Sequence, residues 1–405
     1  MMTKIAMIST GEEVLYGDIV DTNASWLSHR LCQLGFTMAY RSTVGDNLES
    51  ICEEIKRISK LVDVVIVNGG LGPTTDDLSA QAAAKALGVQ LELNEAWVEQ
   101  MHLKFQQMQR DMPKSNLKQA MLPLGAELID NPVGTACGFC IELNHARVYF
   151  TPGVPREFKH MVETQIVPKL QRLYSSAEAK QVERIYTFGL TESGISDVLD
   201  HWNLPEGGEL GYRSALPFIE IKLFHRNNKT EQIRAFKDAI IDKFQANVVS
   251  VDQSLLDALS EQLTKKKQTL NVSEVGIMGT LAYQFSQYEG IANLLINSRC
   301  SYHLVAPVEL SVLAQQLQKE VSEQLEDIGL YIYANNDKSY TLALITHQYQ
   351  KLIRVKPYRQ YNIKNQSILI ATLVQIMLLN YLLGNGDIDE YLNFEYLGVF
   401  ETEID

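Results

Sequence analysis

The chain has 405 residues, of which 46% are hydrophobic and 21% charged, and its formal net charge at pH 7 is −13. This length exceeds that of one ordinary hydrophobic core, so we expect two or three domains. The acidic balance argues against sequence-independent binding of nucleic acids, which depends on surplus lysine and arginine. We therefore expect no nucleic-acid partner.

The longest apolar run, residues 368–383, is interrupted by Thr372, Gln375 and Asn380. It falls short of the roughly 20 residues that a membrane span needs, and Gly384 follows it as a helix C-cap would. We predict a buried helix there and no membrane partner. A strand is predicted almost at the first residue, so we expect no signal peptide and a cytoplasmic location.

The five cysteines suggest no disulfide framework. Cys137 and Cys140 have the spacing of a redox motif, but the residues around them resemble strands, whereas the thioredoxin pattern needs a strand-to-helix turn. With no second pair or histidine cluster nearby, zinc is poorly supported as well. We interpret the cysteines as packing thiols in a reducing compartment.

The first 90 residues alternate between strand and helix patterns. The predicted strands are 4–9, 37–44 and 63–68, and the predicted helices are 23–34, 48–59 and 75–87. Such βαβ repetition predicts an α/β fold, with a parallel sheet covered by helices on both faces. In these sheets, ligands bind beyond the carboxyl ends of the strands, near the point where the strand order reverses.

The most informative segment is the loop at 69–77, which reads Gly-Gly-Leu-Gly-Pro-Thr-Thr-Asp-Asp. A buried strand that ends in a glycine loop before a helix presents backbone N–H donors to an anion. Asp76 and Asp77 would repel a phosphate unless a cation lay between them. The loop therefore indicates a phosphate-bearing ligand together with a divalent metal.

Two more loops are expected at the same edge of the sheet. Residues 9–17 carry Glu12 and Glu13, and residues 44–47 carry Asp46. Because the strands are predicted to be parallel, the three acidic loops should converge.

The composition changes after residue 173. Residues 174–180 are predicted to be a polar linker, and 182–249 a small α+β module with a turn at 205–208 and a strand at 218–224. A third unit is expected from Asp252, with a helix, then a strand at 269–275 and helical apolar spacing at 310–325. The expected domains are 1–172, 173–250 and 251–405.

Six stretches of the chain occur in the order found in one known family: residues 11–17, 21–23, 69–77, 116–120, 131–136 and 151–155. On these matches the chain resembles the CinA (competence/damage-inducible) proteins, and its length and domain order follow theirs. The resemblance implies a three-layer molybdopterin-binding-like domain at 1–172, a KH-like α+β connector at 173–250 and an α/β nicotinamide mononucleotide amidase-like domain at 251–405.

The resemblance implies hydrolysis of ADP-ribose to AMP and ribose 5-phosphate by the first domain. The cofactor would be Mg²⁺, Mn²⁺ or Co²⁺, with K⁺ as a further candidate, and the assembly a homodimer. Hydrolysis of a pyrophosphate needs charge neutralisation and a carboxylate that holds or activates water, so the residue types fit.

The same resemblance suggests roles for particular residues. Asp46, Asp77 and Lys118 are the candidate catalytic residues, and the candidate metal ligands are Asp46, Asp77, Asp76 and Glu12. The candidate substrate-binding residues are Gly69, Gly70, Gly72, Thr74, Thr75, Asn23 and Thr135.

Simpler roles are open for the acidic residues. Asp76 and Asp77 open one predicted helix and Asp46 precedes another, and aspartate is favoured at such positions as a cap or in the first turn. Glu12 or Glu13 could be a solvated loop charge.

In the amidase-like domain the expected chemistry is missing. Val275 stands where the family has its nucleophilic serine, and no lysine occurs from 268 to 318 to serve as base. Ser273 is the alternative nucleophile, but we interpret the domain as a relic that packs or dimerises. In the connector, Glu206 and Glu209 disfavour an RNA-binding role for the Gly208–Gly211 loop, for which we predict a turn.

Two other functions are compatible with the loop at 69–77. One is binding or processing of molybdopterin or its adenylyl ester, which also presents phosphate. The other is a non-catalytic scaffold in DNA-damage or competence physiology.

Overall fold

The computed structural model describes residues 3–174, 180–226, 230–323, 326–384 and 391–404. The chain divides into two compact units, Met1–Gln181 and Val182–Asp405. Most of the predicted linker, residues 175–179, lies outside the described residues.

The first unit has the predicted alternation of strands and helices. Its elements are β1 (Lys4–Thr10), α1 (Glu12–Leu15), α2 (Thr22–Gln33), β2 (Thr37–Val44), α3 (Leu48–Ile58), β3 (Val64–Asn68), α4 (Ser79–Leu87), β4 (Leu91–Leu93), α5 (Glu95–Gln107), a 3-10 helix (Lys114–Ala120), β5 (Met121–Pro123), β6 (Glu127–Ile129), β7 (Gly138–Leu143), β8 (Ala146–Thr151), α6 (Pro155–Met161), a π-helical turn (Val162–Ile166) and α7 (Val167–Leu173).

The main sheet of this unit has the order β2-β1-β3-β8-β7-β6. The strands β2, β1, β3 and β8 are parallel, and β7 and β6 run antiparallel to their neighbours. From β1 the chain moves to β2 on one side and then to β3 on the other, so the strand order reverses at β1. The parallel register pairs Ser9 with Asn68 and Asn68 with Thr151, which places these three strand ends level.

Helices cover both faces of the sheet, so the predicted three-layer α/β/α arrangement is present. All five residues of β3 are buried, as a strand covered on both sides requires. Val65 and Val67 pack into the core that contains Ile51 and Ala82 of α3 and α4. On the other face, Ile66 packs with residues of α2, α6 and α7.

The helix predicted at 75–87 begins only at Ser79, so that predicted boundary is wrong. The carboxylate of Asp77 accepts hydrogen bonds from the backbone N–H and the hydroxyl of Thr74. This closed turn engages the Asp77 carboxylate, and the chain becomes helical two residues later, at Ser79.

The second unit contains two sheets. Its elements are β9 (Lys180–Thr187), α8 (Glu192–Leu199), β10 (Glu209–Ala215), β11 (Phe218–Arg226), α9 (Thr230–Phe244), a 3-10 helix (Gln245–Asn247), β12 (Val248–Val251), α10 (Leu255–Lys266), β13 (Leu270–Val275), α11 (Thr280–Ser286), α12 (Glu289–Ala292), β14 (Leu295–Ser301), α13 (Leu310–Ser322), β15 (Ile328–Ala334), β16 (Tyr340–Thr346), β17 (Tyr349–Pro357), α14 (Ile363–Leu383) and β18 (Phe394–Glu403).

The smaller sheet has the order β10-β11-β9-β12 and the larger one β14-β13-β15-β16-β17-β18. In the larger sheet β13 runs parallel to both β14 and β15. The turn predicted at 205–208 closes with a bond from Gly208 N to Pro205 O. The turn predicted for Gly208–Gly211 is wrong, because β10 begins at Glu209 and pairs with β11 from that residue. The helix predicted at 310–325 ends at Ser322, and residues 324 and 325 lie outside the described residues.

The apolar segment at 368–383 forms most of α14, and its prediction as a buried helix is confirmed. By length and composition α14 could cross a membrane, but most of it is buried within the second unit. It packs against α10 and α11. Gly384 ends the helix with φ +73°, as the C-cap prediction requires.

Candidate functional site

A cleft of about 460 Å³ opens where the four parallel strands of the first unit end. Its walls include Gly11 after β1, Asp46 after β2, the loop at 69–77 after β3 and Gly153 after β8. The convergence of the three acidic loops expected from the sequence is therefore present. The loop after β8 forms a fourth wall.

Two glycines allow the 69–77 loop to turn tightly over the sheet. Gly69 has φ +111° and Gly70 has φ +66°, conformations that disfavour any side chain. A Cβ on Gly69 would lie 2.6 Å from Thr10 Oγ1, and one on Gly70 would lie 2.5 Å from Ser79 Oγ. Ser79 is fully buried and its hydroxyl donates to Gly69 O at 2.8 Å, so it has no room to move.

The same loop offers backbone donors to the cleft. Gly70, Leu71 and Gly72 all line it, and within the described ranges none of their N–H groups donates a hydrogen bond to the protein. Successive unpaired N–H groups in a glycine loop bind anions. This wall of the cleft can therefore hold a phosphate group.

Asp77 and Lys118 fix the far end of the loop. Gly72 leaves room for the Asp77 carboxylate, because a Cβ on Gly72 would lie 2.5 Å from Asp77 Oδ2. Lys118, in the 3-10 helix, donates from Nζ to the carbonyl of Thr74. Asp77 lines both the cleft and an adjoining pocket of about 190 Å³, whereas Lys118 lines only the latter.

Asp46 reaches the cleft from the loop after β2. Its Oδ2 accepts a hydrogen bond of 3.1 Å from the backbone N–H of Glu12. Burial raises the pKa of Asp46 above its ordinary value, and the charges of Glu13, Asp76 and Glu12 act in the same direction against the Glu12 N–H bond. A cation in this cleft would relieve that repulsion.

The helix-capping alternatives are wrong for these aspartates. Helix α3 is capped by Asn47, whose side chain accepts from Ser50 N at 3.1 Å. Helix α4 begins after Leu78 with no side-chain cap.

The two glutamates after β1 have different positions. Glu13 lines the cleft, and Glu12 is not among the described residues that line it. The Glu12 side chain instead packs against Gly45, with Oε2 buried and without a hydrogen-bond partner in the described part of the chain. Glu12 thus contributes to the cleft mainly through its backbone N–H to Asp46.

The remaining predicted ligand-binding residues divide into two groups. Thr135 lines the cleft, whereas Thr74 and Thr75 are exposed outside its lining. Asn23 is buried and donates from Nδ2 to Asn68 Oδ1 at 3.0 Å and to Gly153 O at 2.8 Å. It therefore shapes the loop after β8 rather than facing the cleft.

Glu157 lines the cleft but was not predicted from the sequence. Its carboxylate accepts from Asn131 Nδ2 at 2.8 Å, and Asn131 Oδ1 in turn accepts from the N–H of Val133 and Gly134. The signal available for Glu157 was its position just after the motif at 151–155.

The carboxylates that line the cleft are Asp46, Asp76, Asp77, Glu13 and Glu157. Among the described residues, no three His, Cys, Asp or Glu side chains are grouped closely enough to form a complete metal site. Magnesium-type ions commonly take only about one or two protein carboxylates, and substrate phosphates and water complete the shell. The donor set fits a metal that arrives with a phosphorylated ligand.

The paired cysteines are buried beside the sheet. Burial raises the pKa of both the Cys137 and the Cys140 thiols to about 12, which keeps them protonated. This agrees with their interpretation as packing residues.

In the second unit, Val275 ends β13 and is 8% exposed. The preceding Glu274 is 1% exposed, and its carboxylate accepts from the N–H of Leu281 at 3.1 Å and of Ala282 at 2.8 Å. Burial raises the pKa of Glu274 despite these bonds. Glu274 is occupied in holding the start of α11.

Comparison with known proteins places these features in context. The model of a probable molybdopterin binding domain matches residues 6–172. A CinA-like protein of Shewanella denitrificans is 41% identical over 346 residues, which cover 84% of this chain and 82% of that protein. A CinA-like protein of Shigella flexneri is 45% identical over 287 residues, which cover 71% of this chain and 72% of that protein. The solved structure of the CinA protein of Thermoplasma acidophilum is 30% identical in sequence. The match covers 41% of this chain and 98% of the Thermoplasma chain, with a TM-score of 0.39.

Proposed function

Because this chain belongs to the CinA-like protein family, we propose that its first unit hydrolyses ADP-ribose to AMP and ribose 5-phosphate with a divalent metal. The observation that carries the proposal is the cleft itself. Gly70, Leu71 and Gly72, whose N–H groups have no hydrogen-bond acceptor within the described part of the chain, line the same cleft as Asp46 and Asp77. A pyrophosphate with a bound cation complements both walls.

The proposed chemistry is direct attack by water. A divalent metal, when bound, supplies charge neutralisation at the pyrophosphate oxygens. The N–H groups of the 69–77 loop hold a phosphate, and Asp46 accepts a proton from the attacking water. The bond from phosphorus to the bridging oxygen breaks, and the electron pair leaves with the other phosphate. Attack at either phosphorus gives the same two products.

Asp77 and Lys118 have distinct proposed roles. Asp77 lies in the cleft and would hold the metal, since one of its oxygens is already oriented by Thr74. Lys118 acts as a positioning residue, because its ammonium group donates to the Thr74 carbonyl and lies outside the main cleft. This positioning role differs from the catalytic role that the resemblance suggests for Lys118.

Release of AMP tests the proposal. Full-length protein incubated with ADP-ribose and Mg²⁺, Mn²⁺ or Co²⁺ should form AMP and ribose 5-phosphate in equal amounts, and EDTA should stop the reaction. Absence of AMP with all three metals would overturn it.

A second candidate function is binding of molybdopterin or its adenylyl ester. The match of residues 6–172 to a probable molybdopterin binding domain favours it, and the same N–H groups would bind its phosphate. A larger rise in melting temperature with molybdopterin than with ADP-ribose, each at equal concentration with Mg²⁺, would favour this function over hydrolysis.

We further propose that the second unit has no amidase activity and that the whole protein is a cytoplasmic homodimer. A buried valine at the end of β13 offers no nucleophile, and Glu274 is engaged with the start of α11. Nicotinamide mononucleotide should therefore remain intact.

A further inference from the structure

Helix α5 lies behind one wall of the cleft in the first unit. This wall is the segment 131–136, in which Thr135 and Ala136 line the cleft. Two side chains of α5 contact the segment, Trp97 and Lys104, and we call this pair the α5 clamp. Neither of them is among the described residues that line the cleft. Any effect of the clamp on a ligand must therefore pass through the wall.

Lys104 holds two carbonyl groups of the wall with its ammonium group. Its Nζ donates to Asn131 O and, at 2.6 Å, to Gly134 O. The same nitrogen lies over the ring of Trp97, 4.6 Å from the ring centre. A cation in that position is attracted by the electrons of the ring face. The ring and the two carbonyls together fix where the ammonium group lies.

Trp97 holds the wall at a third carbonyl. Its Nε1 donates to Thr135 O at 3.0 Å. The residue is 1% exposed and packs in the core with Ala120 and Phe139. The side chain of Asn94 accepts from Trp97 N at 2.9 Å, so the start of α5 is fixed as well. Because an aromatic ring in a close-packed core has little freedom, its N–H gives Thr135 a defined position.

Asn131 joins the wall to Glu157 of α6. Its buried Nδ2 donates to Ala136 O and to Glu157 Oε2, both at 2.8 Å. Its Oδ1 accepts from the N–H groups of Val133 and Gly134. A Cβ on Gly134 would overlap the Glu157 carboxylate, so the two fit closely. Glu157, which lines the cleft, therefore takes its position from the same wall that the α5 clamp holds.

Thr135 keeps hydrogen-bond donors available to a ligand. Its carbonyl accepts from Trp97, but neither its N–H nor its hydroxyl donates to another group in the described part of the chain. Unsatisfied donors in a concave site favour a ligand that brings acceptors. Since Thr135 and Glu157 both line the cleft, a displacement of the wall would change the contacts that a bound substrate makes with each of them.

We propose that Lys104 is a positioning residue of the cleft, which acts on a bound substrate through the wall at 131–136. Loss of its ammonium group would leave two carbonyls of the wall without their donor and allow Thr135 and Glu157 to move. This inference rests on the proposed hydrolysis, because it concerns the substrate of that reaction.

Steady-state hydrolysis of ADP-ribose by the full chain tests the inference, with the metal that gives the highest wild-type rate. Lys104→Met keeps the aliphatic stem over Trp97 but removes the donors, and it should raise KM at least about tenfold because a displaced wall weakens each contact made to it. Lys104→Arg keeps a charged donor and should hold KM within about threefold of wild type. The control Lys56→Met removes an exposed lysine of α3 and should leave KM within about twofold.

Separate values of kcat and KM distinguish positioning from a loss of stability. Partial unfolding of Lys104→Met would lower kcat, because fewer molecules act, and leave KM unchanged, and that result would overturn the inference. An equal rise of KM in Lys56→Met would also overturn it, as would a KM for Lys104→Arg as high as that of Lys104→Met. If Lys104→Met is not folded by circular dichroism, Lys104→Gln carries the same test.

The wild-type rate in the same assay separates this inference from the proposed function. No AMP from the wild type would overturn hydrolysis and this inference with it. Wild-type turnover together with an unchanged KM in Lys104→Met would overturn the positioning role alone.

Discussion

The carboxylate of Asp46 accepts a 3.1 Å hydrogen bond from the backbone N–H of Glu12, a residue 34 positions earlier in the chain. The bond joins the start of α1, just after β1, to the loop that follows β2, beside the point where the strand order reverses. Next to it, Gly11 N donates to the carbonyl of Val44, the last residue of β2, at 3.1 Å. One of the carboxylates proposed for the reaction therefore also holds two walls of the cleft together.

Asp46→Asn should raise the melting temperature of the metal-free protein while abolishing hydrolysis. Asparagine keeps an oxygen for the Glu12 N–H and removes a charge that Glu13 and Asp76 repel. We expect the melting temperature to rise by about 1–2 °C, because relief of the repulsion between partly exposed carboxylates adds on the order of 0.5 kcal/mol to the free energy of unfolding. Scanning calorimetry in EDTA measures it, and a lower melting temperature would contradict the account.

The raised pKa of Asp46 also predicts a pH dependence. The folded protein binds this proton more readily than the unfolded chain, so the contribution of Asp46 to stability falls as pH rises through the two pKa values. A cation in the cleft would be favoured by the ionised form of Asp46 and would therefore compete with this proton. As the pH is lowered, metal affinity should therefore begin to decline at a higher pH than it would beside an aspartate of ordinary pKa. Metal titrations of wild type and Asp46→Asn at several pH values measure this decline in affinity and its dependence on Asp46.

Gly70→Ala should disrupt the phosphate-binding loop. Gly70 and Gly88 share a left-handed backbone, with φ +66° and +72°, but only a Cβ on Gly70 meets another atom, Ser79 Oγ. Gly88→Ala should lower the free energy of unfolding by about 1 kcal/mol, because alanine disfavours the left-handed backbone. Gly70→Ala should cost about 1–3 kcal/mol more because the buried Ser79 must move. Urea unfolding of both variants gives the comparison, and equal losses would show that the contact is unimportant.

Lys118→Met should lower the rate of hydrolysis by loosening the 69–77 loop. The matched control is Lys114→Met in the same 3-10 helix, because Lys114 is exposed and does not line the cleft. We expect kcat to fall at least about tenfold for Lys118→Met, since loop placement controls how the substrate meets the carboxylates. Unchanged kcat in both variants would remove Lys118 from the proposed machinery.

The layer order and the convergence of acidic loops could be predicted because they follow from strong local patterns. The fully buried run at β3 and the helices on either side of it fix a parallel sheet. Parallel strands place their following loops at one edge whatever the details of each loop.

The finer geometry of the cleft could not be predicted because it depends on contacts between distant segments. The start of α4 depends on the Thr74–Asp77 turn, and the orientation of Asp46 depends on the backbone of Glu12. Glu157 reaches the cleft through its bond to Asn131, 26 residues earlier. The spacing of residues within one segment of the sequence does not indicate which distant residues such side chains will contact.

Nicotinamide mononucleotide should pass through incubation with the protein unchanged. Val275 cannot attack the amide, and Glu274 is buried at the start of α11. Chromatography should find no nicotinic acid mononucleotide above a control without enzyme. Its accumulation would show that Ser273 or another side chain acts as a nucleophile.

The most direct test of the central claim compares wild type with Asp77→Ala in the hydrolysis of ADP-ribose with Mg²⁺, Mn²⁺ or Co²⁺. The account predicts equal amounts of AMP and ribose 5-phosphate from the wild type, and no product from a variant that circular dichroism shows to be folded. No AMP from the wild type with any of the metals, or full turnover by Asp77→Ala, would contradict it.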